Sequence, residues 1–201
     1  MLPFLHDRVQ KLDGLLKLAN VTLDLFNQRE LGINNSAHEL LDKAINIYHA
    51  LGRTSTENEL LTLKAQFVLA ESGTNPLTSE RLSTYKRDMV RATIFRVLQQ
   101  STLLIRTDVT KDQEVLADAI DQIRPIVLMA IQKRMIKLDK SGSLSQIELD
   151  ALWQSFLNDP DIELAAKQLV MKLNLYDIQL VLSELIQAIG NTMGTQSSMT
   201  V

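Results

Sequence analysis

The 201-residue chain has no cysteine. That excludes disulfides, thiol nucleophiles, thiolate zinc sites and iron–sulfur clusters. It also fits a reducing compartment, and a cytoplasmic location is the expectation. Aromatic residues are scarce, 4% of the chain, so a core has to be built from Leu, Ile, Val, Ala and Met. With seven glycines in all, there is little material for a phosphate-cradling loop. Long apolar runs are missing too. The greasiest segment, Leu173–Ile189, is broken by Asn174, Asp177 and Glu184, so no transmembrane helix is expected. The residues from Met1 to Arg8 carry neither a basic leader nor a long apolar run, and no signal peptide is read there. There is no excess of one charge either. The net is −3, which gives no global pull toward nucleic acid or anionic lipid.

What is present is helical periodicity. Leu5, Val9, Leu12, Leu16, Ala19, Leu23 and Phe26 are spaced alternately four and three apart, a seam held for three heptads. Leu15, Leu18 and Leu25 broaden it, and Gly14 inside it could mark a close helix approach. Gly32 and Asn34-Asn35 end this helix. Ser36 with Glu39 reads as the cap of a second, and Thr56 with Glu59 as the cap of a third. Gly52 and the run Ser72-Gly73-Thr74-Asn75-Pro76 are the breaks after them. A fourth helix is expected from about Ser79 to Ile105, apolar nearly all round. Thr110 with Gln113 then caps a fifth, with Asp108 and Asp112 at its positive N-terminus. The fifth keeps its phase straight through Pro125 and ends in Lys133, Arg134, Lys137 and Lys140.

Asp139-Lys140-Ser141-Gly142 is the candidate boundary. Three shorter helices are expected after it, the first capped by Ser143 with Gln146, the second by Asp159, the third stopped by Gly190. The expectation is an all-α fold: an antiparallel helical bundle of about five long helices over 1–138, then a smaller three-helix unit over 143–190. The tail, 191–201, carries no charge and is expected to be disordered. Residues 143–190 hold two basic and seven acidic side chains. Ala37, Leu41, Ala44 and Ile47 resemble the second helix of a tetratricopeptide repeat. The preceding helix lacks the partner pattern, and His49 stands where proline is expected, so no repeat array is read.

Candidate chemistry is sparse. The segment 137–148 resembles an EF-hand calcium loop. Gly142 stands at its sixth position, Leu144 at its eighth and Glu148 at its twelfth, with Asp139 and Ser141 as further ligands. Lys137 occupies the first position, where the family has Asp, and this sets a cation against a cation site. The ordinary reading is an interhelical turn. The segment 37–44 around His38 faintly resembles the phospho-accepting histidine of phosphotransfer bundle domains, but Leu41 and Asp42 stand where that family has Lys and Gly. Asp42 one turn away would repel phosphate, and the ordinary reading pairs it with His38. His38 and His49 are about 16 Å apart along a helix, too far for one metal ion. No di-iron, zinc-protease, phosphate-loop or dinucleotide motif occurs. Arg81, Lys86, Arg87, Arg91, Arg96 and Arg106 are dispersed around the fourth helix rather than gathered on a nucleic-acid face, and pairing with neighbouring carboxylates is expected of them.

The resulting expectation is a non-enzymatic helical interaction module, acting as an adaptor, a regulator or a homo-oligomeric piece. It would have a protein partner or associate with itself, with no cofactor and with neither nucleic acid nor membrane as partner. Glu148, Asp150, Asp161 and Glu163 are its candidate contacts for a basic partner. The alternatives are a helical enzyme or small-ligand-binding protein using His38, Asp42 and arginines of the fourth helix, and a calcium-responsive module at 137–148.

Overall fold

The computed structural model describes residues 4–30, 32–78, 86–136 and 144–196. All regular structure among them is helical, in seven helices: α1 (Leu5–Asn27), α2 (Ile33–Ala50), α3 (Thr54–Ser72), α4 (Lys86–Gln132), α5 (Gln146–Asn158), α6 (Glu163–Lys172) and α7 (Leu175–Gln196). None of these helices is long and apolar enough to cross a membrane. By contacts the chain divides within α4, between Asp112 and Gln113. Asp139–Gly142, where the sequence places a boundary, lies outside the described residues.

The first unit holds α1 from Asp7, α2, α3 and α4 as far as Asp112. Its core joins Leu12, Leu15 and Ala19 of α1 to Leu40, Leu41, Ala44 and Tyr48 of α2, Leu60 and Phe67 of α3, and Val97, Leu98 and Ile105 of α4. The buried line on α1 is Leu12-Leu15-Ala19-Thr22, while Leu16, Leu23 and Phe26 are only half-buried. The core thus keeps Leu12 and Ala19 of the heptad seam and takes Leu15 and Thr22 beside it in place of Leu16, Leu23 and Phe26. Thr22 keeps its hydroxyl satisfied by donating to the Leu18 carbonyl.

Helix ends depart from the capping boxes expected of them. α2 starts at Ile33 behind Gly32, which has a φ of 89° and supplies no side-chain cap. Ser36 and Asn34-Asn35 therefore lie inside the helix. α3 starts two residues ahead of Thr56, whose hydroxyl donates to Asp108 instead. The C-terminal signals of α2 and α3 hold. Gly52 and Gly73 are left-handed, and the N–H groups of Gly52 and Arg53 close onto the carbonyls of His49 and Tyr48. Arg29 and Arg134 adopt the same left-handed turn after α1 and α4 without a glycine.

The expected break between a fourth and a fifth helix does not exist: α4 runs unbroken for 47 residues, through Thr110 and Pro125. Asp108 and Asp112 sit one turn apart on its buried side instead of at a helix start. Arg53 neutralises both. Its Nη1 lies 3.1 Å from Asp108 Oδ2, and its Nη2 donates to both oxygens of Asp112 at 2.7 Å. Arg8 reaches Asp112 from α1 at 3.4 Å. Burial works against the charge of Arg53, and Asp112 and Asp108 more than offset that, so its pKa is raised. Tyr48 is fully buried beside this cluster. Burial first, and then Asp108, push the ionisation of its hydroxyl above the ordinary phenol range.

The second unit holds Phe4–His6, the rest of α4, and α5 to α7. Ile123, Val127 and Ala130 of α4 pack with Leu152, Trp153 and Phe156 of α5, Leu169 of α6, and Ile178, Val181 and Leu182 of α7. α5 is capped by Ser145 with Glu148 and not by Ser143 with Gln146, which puts a carboxylate rather than an amide against the helix dipole. Asp159 opens the turn before α6 by accepting from the Asp161 N–H, so the helix proper begins only at Glu163. α7 continues past Gly190 to Gln196. Each of its two glycines, Gly190 and Gly194, costs only about 1 kcal/mol against Ala, and no proline follows to enforce a stop. Asn174 and Asp177 cap the start of α7 reciprocally, and the buried Asp177 carboxylate also accepts from the backbone N–H groups of Leu5 and His6, at 2.8 and 3.0 Å.

Two outcomes follow for stability. A Cβ added at Gly14 meets nothing within 4 Å, so among the described residues no helix approaches there, and Gly14→Ala should stabilise the protein by about 0.5–1 kcal/mol in urea unfolding. A loss of stability would mean that another chain segment closes on that face. Arg53→Met leaves Asp112 with only the 3.4 Å ion pair to Arg8 and Asp108 with only the 3.8 Å ion pair to Lys111, and should destabilise by roughly 3 kcal/mol. Adding Asp108→Asn and Asp112→Leu should recover most of that loss. A triple variant no more stable than Arg53→Met would show that Arg53 acts through its stem and not its charge.

Candidate functional site

The acidic candidates of the second unit are all in use. Glu148 completes the α5 cap, accepting from Ser145 N at 2.7 Å and from Ser145 Oγ at 2.6 Å. Those bonds hold its carboxyl below the ordinary value. Asp150 accepts from the side-chain amides of Gln146 and Gln179, at 3.1 and 2.6 Å. Asp161 shares Lys133 with Asp159, and Glu163 pairs with Lys167 one turn on. Lys133 lowers the pKa of Asp159 and has its own raised in return. The four candidates are therefore spread over the start of α5, the turn before α6 and the start of α6. Of the calcium candidates, Asp139 and Ser141 lie outside the described residues, and Glu148 is the cap just described. Among the described residues no group of three or more His, Asp or Glu could hold a metal ion.

On α2, His38 does not pair with Asp42. Its Nε2 lies 2.8 Å from Glu71 Oε2 and its ring packs against Phe67 in a tilted pair, with centroids 4.5 Å apart. Glu71 Oε1 accepts from Asn34 at 2.9 Å. Asp42 faces Lys64 of α3 in an ion pair. The spacing of four along α2 allows a His38–Asp42 pair, but α3 offers each residue a partner from outside the helix, a choice that one helix alone cannot reveal.

The His38–Glu71–Asn34 group borders a cleft of about 740 Å³ in the first unit. Its apolar surface comes from Phe26, Ile33, Val90 and Ile94, and its basic side chains are Arg29, Arg87 and Arg91. Glu30 and Glu71 are its acidic ones. Four helix ends supply these residues: the C-terminal ends of α1 and α3 and the N-terminal ends of α2 and α4. Phe26 stacks on Phe95 with ring centroids 5.5 Å apart, and the Arg91 guanidinium sits over the Phe26 ring at 5.4 Å. Of the basic residues expected to pair with carboxylates, Arg81 and the Lys86 side chain lie outside what the structure describes, and the other four do not show that pairing. Arg96 donates to Gln66, and among the described residues Arg87, Arg91 and Arg106 meet no carboxylate. A helical wheel does group Arg87 with Arg91. It gives no hint of Arg29, which joins them only because α1 ends beside the start of α4.

The depressed pKa values of Glu148 and Asp159 set a pH response. Each carboxylate stabilises the fold fully above its ordinary value, 4.5 for Glu148 and 3.8 for Asp159, and that contribution is lost as pH falls through the lower folded value. Unfolding followed at Trp153, which is buried in the second unit, should show stability declining below about pH 4.5. Glu148→Gln should be less stable at pH 7 and less sensitive to acid, and an unaltered acid profile would dismiss the cap as its source. No protein-family model matches the chain, no characterised protein is significantly similar to it in sequence, and no solved structure matches its fold.

Proposed function

We propose that the protein is a non-enzymatic, cytoplasmic interaction module, an antiparallel helical bundle with a smaller acidic unit that docks a protein partner. The observation that carries this reading is on α6. Ala166 and Leu169 face the core, while Leu164 and Met171, seven residues apart on the opposite side, are 70% and 88% exposed. An ordinary surface helix keeps that side polar. Asp161 and Glu163 flank Leu164, and residues 143–190 carry seven acidic and two basic side chains. The partner that fits is therefore apolar at its centre and basic at its rim, as docking helices commonly are. Glu148 and Asp150 extend the same acidic character onto α5, and their hydrogen bonds leave both carboxylates exposed to solvent. Self-association through this face is the homo-oligomeric form of the same reading.

The test is binding to a partner purified after recovery from native cytosol, or sedimentation of the protein alone if it self-associates. Leu164→Glu with Met171→Glu should weaken either association about tenfold or more, because a charge is buried without a partner. The unfolding midpoint should hardly move, since both sites are exposed. Binding unaffected by the pair of substitutions would discard α6 as the docking face.

A further inference from the structure

Apart from Glu30, the carboxylates described above have partners, whereas among the described residues the guanidinium groups of the cleft have none. Among the described residues Arg29, Arg87 and Arg91 form no ion pair, and only Arg91 makes a contact, with the Phe26 ring. Guanidinium is planar and weakly hydrated, and it takes carboxylate or phosphate oxygens two at a time. The facing carboxylates do not cancel this charge. Glu30 and Glu71 together balance only two of the three arginines, and Glu71 is already turned toward Asn34 and His38. The first residues of α2, Ile33 and Asn34, line the same cleft, and no side chain caps that helix. Its free N–H groups add positive partial charge. Between these groups the surface is apolar, formed by Phe26, Ile33, Val90 and Ile94.

We propose that this cleft binds a small organic anion, a carboxylate or phosphate carried on an apolar body. The arginines take the anionic head and the apolar side chains take the body. The cleft volume of about 740 Å³ lies within the range of roughly 300–1,000 Å³ usual for small-molecule sites. Two properties separate this site from a mere basic patch. An anion without a body forgoes the apolar contacts, and a body without an anion leaves the guanidiniums unused. The proposal does not depend on the docking face of α6, which lies in the other unit.

The experiment is a titration of the full chain, followed by amide and methyl NMR, with four probes: octanoate, octyl phosphate, octanol and inorganic phosphate. Octanoate or octyl phosphate should shift the resonances of Asn34, Val90, Arg91 and Ile94, and whichever binds tighter identifies the head group. Octanol and inorganic phosphate should each bind about tenfold more weakly or worse, the ratio expected from losing a charge-assisted hydrogen bond or the apolar contacts. Raising the salt should weaken octanoate and leave octanol unchanged. Arg87→Gln with Arg91→Gln should lower octanoate affinity about tenfold and spare octanol. Equal binding of octanoate and octanol, shifts confined to other residues, or no shift at millimolar probe would overturn the proposal. These comparisons are made on the unaltered chain and need no variant to fold.

Discussion

Arg53 lies between two carboxylates on one side of α4, and the first unit is organised around that contact. Asp108 and Asp112 are one helical turn apart and mostly shielded from water, with Asp112 only 4% exposed. Two such charges repel each other and lose hydration, so α4 could not bury this side without a cation set between them. Arg53 stands immediately before α3, where the left-handed Gly52 turns the chain out of α2. The turn and the ion cluster therefore specify one another. Tyr48 packs against the same point and stays protonated, and Arg8 brings α1 to it.

The same economy governs several other buried polar groups. Ser101 and Thr102 are buried in α4, and their hydroxyls donate to the carbonyls of Val97 and Leu98 in the preceding turn. Asp177 is buried in the second unit, and its two oxygens are taken by Asn174 and by the N–H groups of Leu5 and His6. Each of these groups looks conspicuous on its own, yet its bonding capacity is spent inside the fold, as burial demands. Chemistry left over for a partner or a ligand must come from groups without such bonds. The arginines of the cleft and the outward apolar side chains of α6 are of that kind.

Much of the secondary structure was legible in the sequence because local physics decides it. The period of the apolar residues, the left-handed glycines 52 and 73 and the helix running through Pro125 all depend on a few neighbours along the chain. Capping boxes were read less well. Ser36–Glu39, Thr56–Glu59 and Ser143–Gln146 all have the right spacing, but only Ser145–Glu148 is used as one. A serine or threonine with an acid or amide three residues on is compatible with a helix start and does not require one. The pair Asp108–Asp112 was misread for the same reason. Acidic residues after a threonine suit a helix N-terminus, and they suit equally well the middle of a helix that meets an arginine 55 to 59 positions away in sequence.

Composition and periodicity were enough to settle the absence of disulfides and, among the described residues, an all-helical fold with no helix long and apolar enough to cross a membrane, since those properties rest on residue types and on contacts within a turn or two. The joining of two expected helices into α4, the transfer of His38 from Asp42 to Glu71, and the meeting of Arg29 with Arg87 and Arg91 were decided by tertiary structure alone. Each depends on a side chain choosing between a near neighbour on its own helix and a distant one on another. That choice turns on burial and on competing partners, and both exist only once the helices have come together.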